Sequence, residues 1–128
     1  MANLKDTTIF GDLSVEGKIS GGGLTPQILT LEDNQVMILY NDFMVTIIIR
    51  MANKTYESLN NWNSLTTIPN ELAPWYDIDF PVIDNAATSF ASTGLNQARV
   101  YTDGRILLWV FGDHPTFPAY ATVSYVRK

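Results

Sequence analysis

A chain of 128 residues with no cysteine is long enough to bury a core of its own and has neither a disulfide framework nor thiolate zinc ligands. Asp+Glu 13 against Lys+Arg 8 give a net charge of -5, which removes the positive surface that nucleic acid requires and argues against it as a partner. Charged residues make up only 16% of the chain, below the roughly 25% usual in soluble domains, so self-association is the expected way to occupy the surface.

The N-terminus, MANLKDTTIFG, shows no basic region followed by an apolar run, and no stretch is long and apolar enough to span a bilayer. Neither a signal peptide nor a membrane anchor is expected. From Ile9 to Ile19 the odd positions are apolar or Gly and the even ones polar, except Phe10. This alternation predicts a strand with one apolar face that must be covered. It is either the first strand of the main domain or a shaft segment in which symmetry-related copies bring Leu13, Val15 and Ile19 together. Ser20-Gly21-Gly22-Gly23 is a linker in composition, so residues 1–23 are expected to form a shaft and residues 24–128 the head domain.

After that boundary, Leu24 to Leu31 and Gln35 to Tyr40 predict a hairpin turned at Asp33-Asn34, and Asn41-Asp42 leads into Phe43 to Arg50 as the third strand of a meander. MVTIIIR is nearly continuous in apolar β-branched residues, which predicts burial on both faces, the second against another subunit. Ala52 to Asn63 reads as an Asn-rich loop holding Trp62, with a short strand or helical turn. Leu65 to Ile68 reads as a strand, Pro69 to Pro74 as a rigid non-helical corner, and Trp75 to Phe80 as a strand stopped by Pro81. Asp84 to Asn96 reads as a loop or a poorly ordered strand, Gly112 to Pro118 as a loop, and Tyr120 to Arg127 as the closing strand. Many short strands between turn signals predict an all-β barrel or sandwich.

The strongest local signal is Gln97 to Phe111, QARVYTDGRILLWVF, a hairpin turned at Asp103-Gly104. A two-residue type I′ loop pairs Thr102 with Arg105, Val100 with Leu107 and Ala98 with Trp109. Ala98, Val100, Leu107, Trp109 and Phe111 then share the core face, with small Ala98 leaving room for the indole. A bulge at the turn reverses this, because a one-residue slip flips every side chain.

The order of features, an alternating G-x-L-x-V-x-G-x-I segment, a glycine break, an apolar meander, W-x-x-L-x-T-I-P-N-E-L-A-P, a D-G hairpin and a closing aromatic strand, resembles phage tail receptor-binding proteins. It is similar to the head domain of the lactococcal-type baseplate receptor-binding proteins, over about Leu24 to Arg127 in order of elements and mostly in Ile68 to Pro74 and Gln97 to Trp109 in residues. The resemblance implies a homotrimer of small Greek-key-like β-barrel heads on a short β shaft. It also implies binding to host cell-wall saccharide, a place at the virion tail tip or baseplate, and contact with other tail or baseplate proteins through the N-terminal segment. The family's sugar site uses a His-x-Asp pair, a Trp on the next strand and an Arg. The pair's positions are occupied here by Arg99 and Tyr101, and Trp109 aligns with the Trp.

Sugars bind through aromatic rings on their C–H faces and polar side chains on their hydroxyls. Candidate saccharide contacts are Arg99, Tyr101, Trp109, Trp75, Asp113 and His114. For each aromatic the competing reading is core packing or a subunit contact, and for Asp113-His114 an exposed, solvated loop. One His without clustered ligands makes a poor metal site, so neither metal nor cofactor is expected. Asp77 and Asp79 alternate on one strand and invite a glycosidase reading, yet nothing nearby raises either pKa. The expectation is a non-enzymatic receptor-binding head, with a structural tail protein and, less favoured, a cell-wall glycosidase as alternatives.

Overall fold

The computed structural model describes residues 23–84, 95–110 and 116–128. The N-terminal alternating segment, Phe111, Asp113 and His114 lie outside the described residues. Among the described residues eight strands follow in order: β1 (Gln27–Leu31), β2 (Val36–Tyr40), β3 (Met44–Thr55), β4 (Asn61–Thr67), β5 (Ile78–Asp84), β6 (Leu95–Val100), β7 (Arg105–Val110) and β8 (Thr116–Val126). The chain is all-β, a single open, curled antiparallel sheet in the order β1-β2-β3-β8-β5-β6-β7-β4.

Strand parity builds the core. Val36 and Ile38 of β2, Val45 and Ile47 of β3, Ala98 and Val100 of β6, Ile106, Leu108 and Val110 of β7, and Phe117 and Ala119 of β8 are wholly buried in one cluster. Each large side chain among them contributes about 1.5–3 kcal/mol by leaving water. The β1-β2-β3 meander is as expected. Its first turn places Glu32, Asp33 and Asn34 in succession at φ 52, 52 and 66, a left-handed stretch tolerated best by short polar residues. Gln35 then ties this turn to β3. Its side chain donates to the Glu32 carbonyl at 3.0 Å and accepts the Ala52 N–H at 2.6 Å, where the β3–β8 register shifts between Met51 and Lys54.

The outward face of β1, β2, β3 and β8 carries Ile28, Met37, Leu39, Ile48 and Val126 among Thr30, Thr46, Thr122 and Ser124. Ile48 and Thr46 are only half-buried, so a single chain does not cover β3 on both faces.

Several local expectations are corrected. The Asn-rich segment is mostly strand, since β3 continues to Thr55 and β4 starts at Asn61. The Pro69–Pro74 corner holds one 3-10 turn, Asn70–Leu72, because Pro69 sits just before it and needs no N–H there. The strand after it is β5, which runs through Pro81 rather than stopping. Pro81 pairs with Gln97, while β8 joins β5 only at Ile83 and Asp84, so no second neighbour asks for the missing donor. Asp84 and Leu95–Asn96 belong to strands, and β8 begins at Thr116, inside a segment expected to be loop.

The hairpin register is also corrected. Val100 pairs with Ile106, Ala98 with Leu108 and Gln97 with Trp109. The loop has three residues, Thr102-Asp103-Gly104: Tyr101 and Arg105 pair across it, with the Tyr101 N–H on the Arg105 carbonyl at 2.9 Å. Only Gly104 is left-handed, at φ 92, which is the bulged arrangement rather than type I′. Ile106 and Leu108 therefore face inward, and Leu107 and Trp109 outward.

One end of the sheet gathers Gly23, the β2–β3 loop, the Thr102–Gly104 turn and the C-terminus. The Gly23 carbonyl accepts the Asp42 N–H at 3.1 Å, the Arg127 N–H reaches the Phe43 carbonyl at 2.7 Å, and Lys128 Nζ reaches the Thr102 carbonyl at 3.0 Å. The β1–β2 turn and the 56–60 loop lie at the other end.

Candidate functional site

The corrected register aligns chemistry on the outward face of β5, β6, β7 and β4. One row across these strands is Asp79, Arg99, Leu107, Ser64, and the next is Pro81, Gln97, Trp109, Trp62. Tyr101 and Arg105 stand beside the first row at the turn. Arg99, Tyr101 and Trp109 thus share one face, and the expectation that Trp109 fills the core opposite Ala98 is overturned: its partner is Gln97 and it is half-buried.

Side chains lock this face. Arg99 grips Asp79 with two donors, Nη2 to Oδ2 at 3.0 Å and Nε to Oδ1. These hydrogen bonds hold the Asp79 carboxyl below its ordinary range and hold Arg99 protonated. The Arg99 guanidinium carbon lies 5.1 Å from the Trp62 ring centroid and 5.8 Å from that of Tyr101. Arg105 stands 4.5 Å from the Tyr101 ring, and Trp62 meets Trp109 edge-on at 5.5 Å. The result is a row of rings and cations, Trp109, Trp62, Arg99, Tyr101 and Arg105, in which each contact limits the rotamers of its neighbours. Arg105 is held by Asp103 at 2.8 Å, and its backbone N–H, first among several causes, lowers the Asp103 pKa. Both arginines are therefore matched by a carboxylate, and the face has little net charge.

Such a surface offers ring edges and faces, carboxylate acceptors and the guanidinium donors that Asp79 leaves over. Two guanidinium groups already stand against Tyr101, so ring stacking with a ligand falls chiefly to Trp62 and Trp109.

The other candidates separate. Trp75 is 62% exposed and Tyr76 81% exposed, in the loop before β5 at the end where Gly23 enters. Among the described residues Trp75 makes no ring or cation contact, and it is not brought to the platform. Asp113 and His114 lie outside the described residues. Asp77 precedes β5 and accepts the Thr102 N–H at 3.0 Å, so Asp77 and Asp79 serve different neighbours.

Trp62 is the platform residue that the sequence left among loop residues. Its position depends on β4 pairing with β7, more than 40 residues later, at Trp62–Trp109 and Asn61–Val110. A bulge between Ser64 and Thr66 then lets Leu65 and Thr66 both turn inward while Trp62 and Ser64 stay outside. Trp62 also borders a groove of about 360 Å³ with Lys54, Glu57, Ser58 and Ser64. A second depression of about 350 Å³ lies on the opposite part of the sheet, between Ile48, Arg50, Tyr120 and Thr122, and offers one aromatic ring and no carboxylate.

No protein-family model matches this chain, and no match to it is found among curated proteins.

Proposed function

We propose that this chain is a non-enzymatic receptor-binding head of a phage tail that attaches to host cell-wall saccharide. The observation that carries the saccharide part is the outward row of Trp109, Trp62, Arg99 and Tyr101 with Asp79 fixed beside it. Rings, a planar donor fork and acceptors within one rigid face match the apolar C–H faces and hydroxyls of a pyranose. The tail setting is supported by the order of sequence features. The Greek-key-like barrel head, the shaft formed by residues 1–23 and its contacts with other tail or baseplate proteins are part of the same proposal.

The homotrimer is supported by the outward face around Ile28, Met37, Leu39 and Ile48, on which Arg50 beside Ile48 carries a charge and whose apolar and hydroxyl-bearing composition otherwise suits burial against another copy. The chain enters at the Gly23 end, where exposed Trp75, Tyr76, Phe43 and Leu24 collect. That end is assigned to the shaft and neighbouring subunits, and the Trp62–Trp109 row to the half of the head further from it. A glycosidase reading has less support, because an acid catalyst needs a raised pKa and Asp79 is shifted the other way.

The test is the mass of the protein in solution together with its binding to cell-wall polysaccharide from a panel of Gram-positive bacteria. Trimeric mass and saturable binding lost in Trp62→Ala and Arg99→Ala support the proposal. Trimeric mass without binding to any member supports a structural tail protein instead.

A further inference from the structure

We propose that the groove beside Trp62 is a second sugar subsite, so that the ligand is an oligosaccharide with one unit on the platform and the next in the groove past β4. This rests on the saccharide reading above.

The walls of the groove are fixed before any ligand arrives. Its floor is Tyr56, 3% exposed, whose ring packs on Phe117 at a centroid distance of 4.8 Å. Lys54 Nζ stands 5.6 Å from the Tyr56 ring centroid, and the Thr55 and Thr116 hydroxyls pair at 2.8 Å. The Asn63 amide is anchored to the loop: it accepts the Ser58 N–H at 3.2 Å and donates to the Ser58 and Asn61 carbonyls at 2.8 and 3.2 Å. Asn60, at φ 51, turns the chain and donates its N–H to the Val110 carbonyl at 2.6 Å. A site ordered in advance loses less freedom on binding.

Its chemistry continues that of the platform. The groove joins the Trp62 indole to the hydroxyls of Ser58 and Ser64 and to one charge of each sign, Lys54 and Glu57, which form no ion pair with each other. An aromatic wall with dispersed donors and acceptors and no net charge fits an uncharged pyranose unit. At about 360 Å³ the groove lies at the small end of ligand pockets, which run from about 300 to 1,000 Å³. Trp62 belongs both to this lining and to the ring–cation row, so a glycan crossing β4 stays on one indole throughout.

The test titrates the full chain, observed by amide NMR and calorimetry, with size-fractionated neutral oligosaccharides from partial acid hydrolysis of Gram-positive wall polysaccharides, from single units to hexasaccharides. The wild type is compared with the double variant Lys54→Ala, Glu57→Ala. Both side chains are exposed, and circular dichroism checks that the fold is retained. The proposal expects affinity to rise about tenfold from single units to longer fragments, with shifts at Lys54, Glu57, Ser58 and Ser64 only for the longer ones. The double variant should lose that gain and keep single-unit affinity. Equal affinity at every length, with shifts confined to the Arg99 and Trp109 strands, overturns the subsite and leaves the platform standing. Absence of binding at every length overturns the platform reading and the subsite with it.

Discussion

Gly104 lies directly against the backbone of Ile68: its carbonyl accepts the Ile68 N–H at 2.9 Å, and any side chain at position 104 would collide with the Ile68 carbonyl. Because φ is also 92, Gly104→Val combines a conformational and a steric penalty. A loss of about 2–4 kcal/mol is expected, read as a lowered midpoint in urea denaturation. Gly104→Ala should cost most of this too, since the collision begins at Cβ.

The register is tested by two neighbouring leucines. Leu108 is wholly buried and Leu107 half-exposed on the platform side. Leu108→Ala is expected to cost about 2–5 kcal/mol, and Leu107→Ala roughly 1 kcal/mol or less. Reversed magnitudes in chemical denaturation would restore the two-residue loop.

Trp62→Ala should weaken saccharide binding about tenfold or more, since it removes a stacking ring and frees Arg99. Trp75→Ala, at the Gly23 end, should leave monovalent affinity within about twofold. Calorimetry on both variants separates the two aromatic positions.

The Asp79–Arg99 pair sets a pH dependence. The Asp79 pKa is lowered in the folded chain and ordinary in the unfolded one, so the folded state binds fewer protons between the two values. The pair therefore supports the fold fully above about pH 4 and loses that support as pH falls through the folded value. In Arg99→Gln the Asp79 carboxyl should titrate nearer its ordinary value, by side-chain carboxyl NMR, and the acid-side slope of stability should flatten.

The largely apolar outward face around Ile48 makes a further prediction. Ile48→Asp is expected to lower the mass in solution from trimer to monomer while keeping the strand signature in circular dichroism, because Ile48 faces outward from the core cluster. Retention of the trimer would move the interface elsewhere.

Much of the fold was legible because strand parity is local. The meander, the all-β class and the inward placement of Ala98 and Val100 follow from alternation alone. The second hairpin strand was not legible in the same way, because Asp-Gly fits both a two-residue loop and a three-residue loop with one left-handed glycine, and the two differ by a full inversion of faces. Arg99 and Tyr101 were singled out and lie together. Trp62 reads from the sequence as a loop aromatic comparable to Trp75 and was not placed with Arg99 and Tyr101, because its neighbours are brought by β7 and by a bulge at Leu65, neither of which leaves a mark near position 62. Pro81 misled for a related reason: whether a proline stops a strand depends on which side lacks a partner, and that is a property of the sheet.

In β6 and β7 the surface of the candidate site and the interior are written on alternate letters of the same words. Arg99 lies between Ala98 and Val100, and Trp109 between Leu108 and Val110. Variation at this surface is therefore confined to exchange of one residue for another, since an insertion or deletion within either strand would turn the interior outward. Changes of length are left to the connections between strands. A lineage adapting to new glycans would be expected to record its history as point replacements at odd-numbered positions of β6 and β7, with the even-numbered ones holding still.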